Sequence, residues 1–146
     1  MEHQVINIEM VIDYIENNLD GKIDLETVAN VIHYSKYHLH RMFTSTVGMT
    51  IHDYVQRRQL TEAAKLLVFS DKPIIEIAFI CGYESQQAFS SIFKSMYKIP
   101  PAEYRDNREF YPLQLRFTLH RNTSKRNSAK MIFVLRKKRI FPLGWT

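Results

Sequence analysis

The sequence of this 146-residue chain contains an internal duplication, and this feature constrains its fold more than any other. The segment Ala29–Tyr34 corresponds to Ala78–Tyr83 at an offset of 49 residues. After one inserted residue the correspondence continues at an offset of 50, pairing Leu39, Phe43, Met49, Asp53 and Tyr54 with Phe89, Phe93, Ile99, Glu103 and Tyr104. A repeat of this kind predicts two copies of one supersecondary unit in tandem.

Apolar residues recur at helical spacing through both copies and predict an all-α fold. Asn7 is predicted to cap a first helix that ends at Gly21, and Asp24 and Ser35 are predicted to cap two short helices joined by about three residues. Such a pair is a helix-turn-helix candidate. In the second copy the corresponding signals are Pro73, Gly82, Ser85 and Pro100-Pro101, followed by a short last helix through Tyr104.

A long helix is predicted between the two copies, from Thr50 to about Phe69. Twenty helical residues span roughly 30 Å, which is close to the ~34 Å repeat of B-DNA. This spacing would allow both second helices to enter successive major grooves on one side of a duplex. We therefore predict a domain over residues 1–108, with one subdomain at about 7–49, a linker helix at about 50–69 and a second subdomain at about 71–108.

The second helix of each predicted pair has an outward face that is polar and free of acids. Once the apolar stripes are buried, the side chains left exposed are Lys36, Tyr37, His40, Arg41 and Thr44 in the first copy and Gln86, Gln87, Ser90, Ser91 and Lys94 in the second. Arg can bond guanine and Gln can bond adenine with two hydrogen bonds each. The helix ends at Ser35, Thr50, Ser85 and Lys98 suit phosphate contacts.

Charge divides the chain into a body and a tail. Residues 110–146 hold nine Lys and Arg and no acid, whereas residues 1–109 hold eleven bases and fifteen acids, a net charge of −4. A basic total therefore proves little about nucleic acid, and the argument depends on where the charges lie. Within the tail, residues 109–146, Met131–Leu135 is strand-like, and so short a segment cannot form a core of its own.

Other classes of site find little support. His38 and His40 lie roughly 200° apart on a helix and cannot share a metal ion, and we expect no metal or cofactor. The single cysteine, Cys81, suits a small buried residue, with a reactive thiol as the alternative. We find no catalytic triad or phosphate loop and expect no enzyme, no membrane partner and a cytoplasmic location.

The ordered motifs resemble the DNA-binding domain of the AraC/XylS family of bacterial transcription regulators, and within it the MarA/SoxS/Rob-like branch. The resemblance covers about residues 7–108 and rests on the residues 34–43, 48–54, Arg58, 63–67, 75–78, 82–87, Phe89, Phe93-Lys94 and 100–105. It implies seven helices with two helix-turn-helix subdomains bridged by the long fourth helix.

The resemblance also implies function. Base contacts would come from Tyr37, His40 and Arg41, and from Gln86, Gln87, Ala88 and Ser91. From the chemistry of the residues themselves, and not from the resemblance, we expect phosphate contacts from Ser35, Lys36, Thr44, Thr50, Ser85, Lys94 and Lys98. The expected protein is a sequence-specific regulator of transcription, an activator that binds double-stranded DNA as a monomer and recruits RNA polymerase. The alternative from another class is a helical protein-interaction or anti-regulator module that has lost productive DNA contact.

The chain departs from the family pattern at several places. His33 stands where the turn usually has glycine, which requires a positive φ, and Ser91 stands where arginine is common. We expect no amino-terminal sensor domain, because no residues precede the first helix. Residues 110–117 and 131–146 resemble, more loosely, the start of a carboxyl-terminal effector-binding domain, and a shortened effector domain and a basic tail both remain open.

Overall fold

The computed structural model describes residues 2–119. This part of the chain forms seven helices and no strand, which confirms the predicted all-α fold. The helices are α1 (Glu2–Asn17), α2 (Leu25–Val31), α3 (Lys36–Val47), α4 (Ile51–Phe69), α5 (Ile74–Ile80), α6 (Gln86–Tyr97) and α7 (Pro101–Asn107). The strand-like run at 131–135 lies outside the described residues. No helix within residues 2–119 is long and apolar enough to cross a membrane.

The predicted start of the first helix is wrong. Helix α1 already begins at Glu2, so Asn7 lies inside it instead of capping it. The Asn7 side chain has a tertiary partner, since its Nδ2 donates to the Tyr34 hydroxyl at 2.9 Å. The helix also ends at Asn17, before Leu19 and Gly21. The side chain of Asn7 therefore bonds to the first helix-turn-helix unit instead of to the backbone at a helix start.

The duplication is confirmed in the helix boundaries and in the backbone. Helices α2 and α5 are related by 49 residues, and α3 and α6 by 50. Each turn contains one left-handed residue, His33 at φ +58° and Gly82 at φ +84°. The positive φ expected of His33 is thus confirmed. The turns are closed by equivalent bonds of 2.9 Å, from Tyr34 N to Ala29 O and from Tyr83 N to Ala78 O.

Each copy has its own hydrophobic core, and α4 contributes to both. The first core consists of Ile8, Val11, Ile12, Ile15, Val28, Ala29, Ile32, Leu39, Met42, Phe43, Ile51 and Tyr54. The second consists of Leu60, Ala63, Ala64, Leu67, Ile77, Ala78, Cys81, Phe89, Phe93, Tyr97, Tyr104 and Phe110. The aromatic residues Phe43, Tyr54, Phe89, Phe93 and Tyr104, which recur in the duplication, are therefore all buried. Helix α4 joins the two units over about 28 Å.

Residues 110–119 form an irregular segment, here called the strap, that packs on the helices. Phe110 belongs to the second core, and Phe117 and Leu119 pack against the first. The predicted boundary between body and tail fell at residue 108. The packed part of the chain continues eleven residues beyond it.

The two units also meet at a pair of glycines. A Cβ placed on Gly82 would lie 3.2 Å from the carbonyl oxygen of Gly21. The side chain of Gln59 on α4 donates from Nε2 to the carbonyl oxygens of Leu19 at 3.0 Å and Gly21 at 3.4 Å. The α1–α2 loop of the first unit is therefore in contact with the α5–α6 turn of the second.

We expect Gly82→Ala to destabilise the protein more than Gly48→Ala. Both glycines have a positive φ, +84° and +89°, and losing that freedom costs roughly 1–2 kcal/mol. A Cβ at Gly48 meets nothing within 4 Å, whereas one at Gly82 crowds the Gly21 carbonyl, which adds about 1 kcal/mol or more. Urea unfolding of the two variants measures the difference, and equal losses would contradict the close approach.

Candidate nucleic-acid interface

The two candidate recognition helices, α3 and α6, begin with the same capping geometry. Ser35 Oγ accepts from the backbone N–H of His38 at 3.1 Å, and Ser85 Oγ accepts from that of Ala88 at 3.0 Å. Neither helix has an acid in its first turn. The sequence folds this way because a serine in extended conformation satisfies a free N–H group at the helix start.

Helix α3 presents an aromatic and cationic face. Tyr37 is 71% exposed, which is unusual for so large an apolar ring. The Arg41 guanidinium carbon lies 5.6 Å from the centre of that ring, a distance at which a cation is attracted to the ring face. Tyr37 is one turn before Arg41, so the two side chains lie on the same face of the helix. Contact with Tyr37 restricts where Arg41 can reach.

Helix α6 presents a neutral amide and hydroxyl face. Gln86, Gln87, Ala88 and Ser91 are all exposed, while Phe89 and Phe93 on the opposite side are fully buried. Amide groups can both donate and accept, which matches the paired donor and acceptor of adenine in the major groove. The helix therefore keeps the shape of α3 but displays different chemistry.

The structure places all but one of the predicted site residues at the surface. The exposed ones are Tyr37, Arg41, Gln86, Gln87, Ala88, Ser91, Ser35, Lys36, Thr44, Thr50, Ser85, Lys94 and Lys98. His40 is only half-buried rather than open, as is Ser90. These two positions are repeat equivalents, at the edge where each helix meets its core.

Four of the predicted phosphate contacts already have a structural role. The hydroxyl oxygens of Ser35, Ser85 and Thr50 each accept a capping bond, that of Thr50 from Asp53 N at 3.1 Å. A hydroxyl that accepts one bond can still donate its proton. Lys98 adopts φ +70° as the C-cap of α6, and its ammonium donates to Ser95 O at 2.9 Å. The ammonium has two further protons to donate.

The sequence interpretation missed how the start of α3 is supported. The rings of Tyr34 and His38 stack with centroids 4.2 Å apart and an interplanar angle of 10°. Because Asn7 donates to the Tyr34 hydroxyl, this stack connects α1 to the first turn of α3. The four-residue spacing of Tyr34 and His38 is the sequence signal for this stack.

Several of the acids that make the body negative form ion pairs. Glu16 pairs with Arg58, Asp13 with Arg116, and Glu84 with Lys22. None of these acids lies on α3 or α6, since both recognition helices are free of acids throughout. The net charge of residues 1–109 therefore says little about the potential at the two polar faces.

Comparison with known proteins identifies the duplicated unit. A family model described as a helix-turn-helix domain matches residues 28–107, more than half of the chain. The multiple antibiotic resistance protein MarA of Salmonella typhimurium is 40% identical over 100 residues, which make up 68% of this chain and 79% of MarA. The uncharacterized HTH-type transcriptional regulator YbfP of Bacillus subtilis is 42% identical over 98 residues, 67% of this chain and 33% of YbfP.

The fold comparison agrees. The DNA-binding domain of the global transcriptional factor AdpA, solved in complex with a target DNA, superposes with a TM-score of 0.64 at 28% identity, covering 68% of this chain and 90% of that one. This chain belongs to the AraC family of transcription regulators. The resemblance noted in the sequence is thereby confirmed, and the seven helices are the DNA-binding domain of an AraC-family regulator. The family consists of transcription regulators and not of enzymes.

The thiol of this AraC-family chain is buried in the second core. Cys81 is 4% exposed, and burial, with a smaller contribution from Glu62, raises the pKa of its thiol to about 12. A thiol is nucleophilic only as the thiolate. The interpretation of Cys81 as a small buried residue is confirmed, and the structure gives no support to the reactive alternative.

We expect Cys81 in the folded protein to react with a disulfide reagent at pH 8 at least ~100-fold more slowly than in the denatured chain. With a pKa of about 12, roughly 10⁻⁴ of the thiol is ionised at that pH, against about a quarter for an exposed cysteine. Absorbance of the released thiolate, with and without urea, measures both rates. Equal rates would show that the second core opens readily.

Proposed function

We propose that this chain is a sequence-specific regulator that binds double-stranded DNA as a monomer, with α3 and α6 in successive major-groove segments. The observation that carries the proposal is the pair of identically capped, acid-free polar helices joined by one continuous helix. The bridging helix α4 has 19 residues, about 28 Å in length, and the groove repeat is ~34 Å. A single chain thus offers two DNA-reading helices, α3 and α6, here called the probes. A protein with one helix-turn-helix unit must dimerise to present two.

The contact roles proposed for individual residues follow from position and chemistry. Tyr37, His40 and Arg41 would contact bases from α3, and Gln86, Gln87, Ala88 and Ser91 would do so from α6. Phosphate contacts are assigned to Ser35, Lys36, Thr44, Thr50, Ser85, Lys94 and Lys98, all of which are exposed. Phosphate contacts set the register of the protein on the duplex, and base contacts give it sequence preference.

The two probes differ chemically, which favours an asymmetric target. Arg41 and Ser91 are repeat equivalents, related by 50 residues, as are Tyr37 and Gln87. The first probe therefore offers a guanine-binding arginine at the position where the second offers a hydroxyl. We expect a target whose two halves differ in sequence, so that the protein binds in one direction.

A directional arrangement suits a regulator that must face RNA polymerase. We infer that the protein acts in the cytoplasm as an activator that recruits RNA polymerase, and this part of the proposal is supported by family membership alone.

Arg41→Ala tests base recognition against Lys36→Ala as its control. Both variants remove one cation from α3, but only Arg41 is assigned to a base. We expect Arg41→Ala to cost ~1–3 kcal/mol on the cognate site and to relax preference at one base pair. Lys36→Ala should weaken binding by about the same factor for every DNA sequence, with no change in sequence preference. Selection from random duplexes followed by titration measures both effects.

Unchanged cognate affinity in Arg41→Ala would count against the proposal. It would favour the alternative of a helical protein-interaction or anti-regulator module that has lost productive DNA contact.

We further propose that residues 1–119 form the DNA-binding domain and that residues 120–146, which hold eight Lys and Arg and no acid, assist binding electrostatically. A chain ending at Leu119 keeps the strap and removes these charges. We expect its affinity to fall by one common factor on all duplexes, with a shallower salt dependence, because fewer counterions are released. Unchanged affinity in salt titrations would instead favour a shortened effector domain.

A further inference from the structure

The strap has no regular secondary structure, and its backbone is not part of a sheet. Residues 110–119 have no strand partner among the described residues, so their N–H and C=O groups must find other partners when buried. They find them in side chains of the helices. The strap crosses from the second core, where Phe110 is 4% exposed, to the first, where Phe117 and Leu119 pack.

The first half of the strap is attached to α6 and α7. Tyr111 O accepts from the Tyr97 hydroxyl at 3.0 Å and from the Tyr104 hydroxyl at 3.3 Å, and Tyr111 N donates back to Tyr104 Oη at 3.0 Å. Burial raises the pKa of Tyr104 to about 12. The hydroxyl therefore stays protonated at physiological pH, and it both donates and accepts.

The second half is attached to α4 and α1. Thr61 Oγ1 accepts from the N–H groups of Leu113 and Gln114, both at 3.1 Å. Tyr54 Oη accepts from Phe117 N at 3.0 Å. At the end of the strap, Arg116 pairs with Asp13 of α1. Tyr54 and Thr61 are two turns apart, so their side chains lie along one face of α4.

A second connection between the units lies on another face of α4. Gln59 contacts the α1–α2 loop beside Gly82, and on a helix with 100° per residue it lies roughly 140° around from Tyr54. The salt bridge from Lys22 to Glu84, 2.9 Å long, spans the same junction. One connection alone would leave α4 free to bend or twist between the units. Two connections on nearly opposite faces oppose both motions.

We propose that the strap fixes the position of α3 relative to α6. The hydroxyls of Tyr54 and Thr61 are positioning groups that hold it, beside the Arg58 guanidinium that donates to the Gln114 carbonyl. This inference rests on the proposed function, because a fixed spacing matters only if both helices dock on one duplex. Joining two binding modules raises affinity through effective concentration, and this gain is lost when geometry prevents simultaneous contact. The strap lies outside residues 28–107, which the family model matches.

The test variant is Tyr54→Phe/Thr61→Val, which removes both hydroxyls and keeps the side-chain volume. The control is Tyr14→Phe/Thr27→Val. It deletes the same two chemical groups within the first unit, where Tyr14 packs on the first core and Thr27 bonds Asp24. Circular dichroism and urea unfolding establish that each variant is folded. If the double variant does not fold, Tyr54→Phe alone replaces it, with Tyr14→Phe as control.

Two measurements report on positioning. The first is the spin-label distance between Ser45→Cys and Ser95→Cys in the free protein with Cys81→Ala, since these exposed serines are repeat equivalents on α3 and α6. The second is the ratio of affinities for a full duplex site and for a half site carrying only the α3 target, measured without labels.

We expect a narrow distance distribution in the parent and the control and a broad one in the test variant. The full-site to half-site ratio should fall ~10-fold or more in the test variant alone, with half-site affinity retained. An unchanged distance distribution, or equal losses on both sites, would overturn the role of the strap. If the parent binds neither site, the proposed function fails, and the distance measurement still decides whether the strap fixes α3 and α6.

Discussion

The arrangement of both units depends on the hydrogen bonds that the buried guanidinium of Arg58 donates. Its Nε donates to Glu16 of α1 at 3.0 Å, its Nη1 to the Gln114 carbonyl of the strap at 3.0 Å, and its Nη2 to Glu62 at 3.0 Å. The side chains of Arg58 and Glu16 are 7% and 10% exposed. One planar group at the middle of α4 thus joins the first unit, the bridging helix and the strap.

A buried charge is stable only when its donors are satisfied. Burial alone would lower the pKa of Arg58, but its hydrogen bonds to Glu16 and the nearby carboxylates outweigh that effect and raise it. Removing one partner of such a pair costs ~3–5 kcal/mol, because the other charge is left unpaired in a poorly solvated place. Within the described residues no buried side-chain polar atom lacks a partner. The junction is therefore polar but fully bonded, which specifies one geometry where an apolar junction would permit several.

Duplication explains why the framework is symmetric while the surface is not. The serine caps, the left-handed turn residues and the buried Phe43 and Phe93 recur because each unit must bury the same apolar stripe. The exposed positions do not have to fill a core, so the equivalent residues Arg41 and Ser91 could diverge in chemistry. The turn geometry is kept even where the residue is not glycine. His33 has a positive φ and is equivalent to Gly82, and Lys98 has a positive φ and is equivalent to Gly48.

Periodicity, caps and the repeat determined which segments form the seven helices, except for where α1 starts. They also determined the core aromatic residues and the polar faces of α3 and α6, because these features depend on side chains a few residues apart. Only the tertiary structure decided that Asn7 lies within α1, that Arg58 and Thr61 are buried, and that residues 110–119 are part of the folded body. The contacts behind these features include pairs that lie 27 to 103 residues apart in sequence. Local patterns carry no information on such pairings, whose free energy arises only when distant segments meet and exclude water.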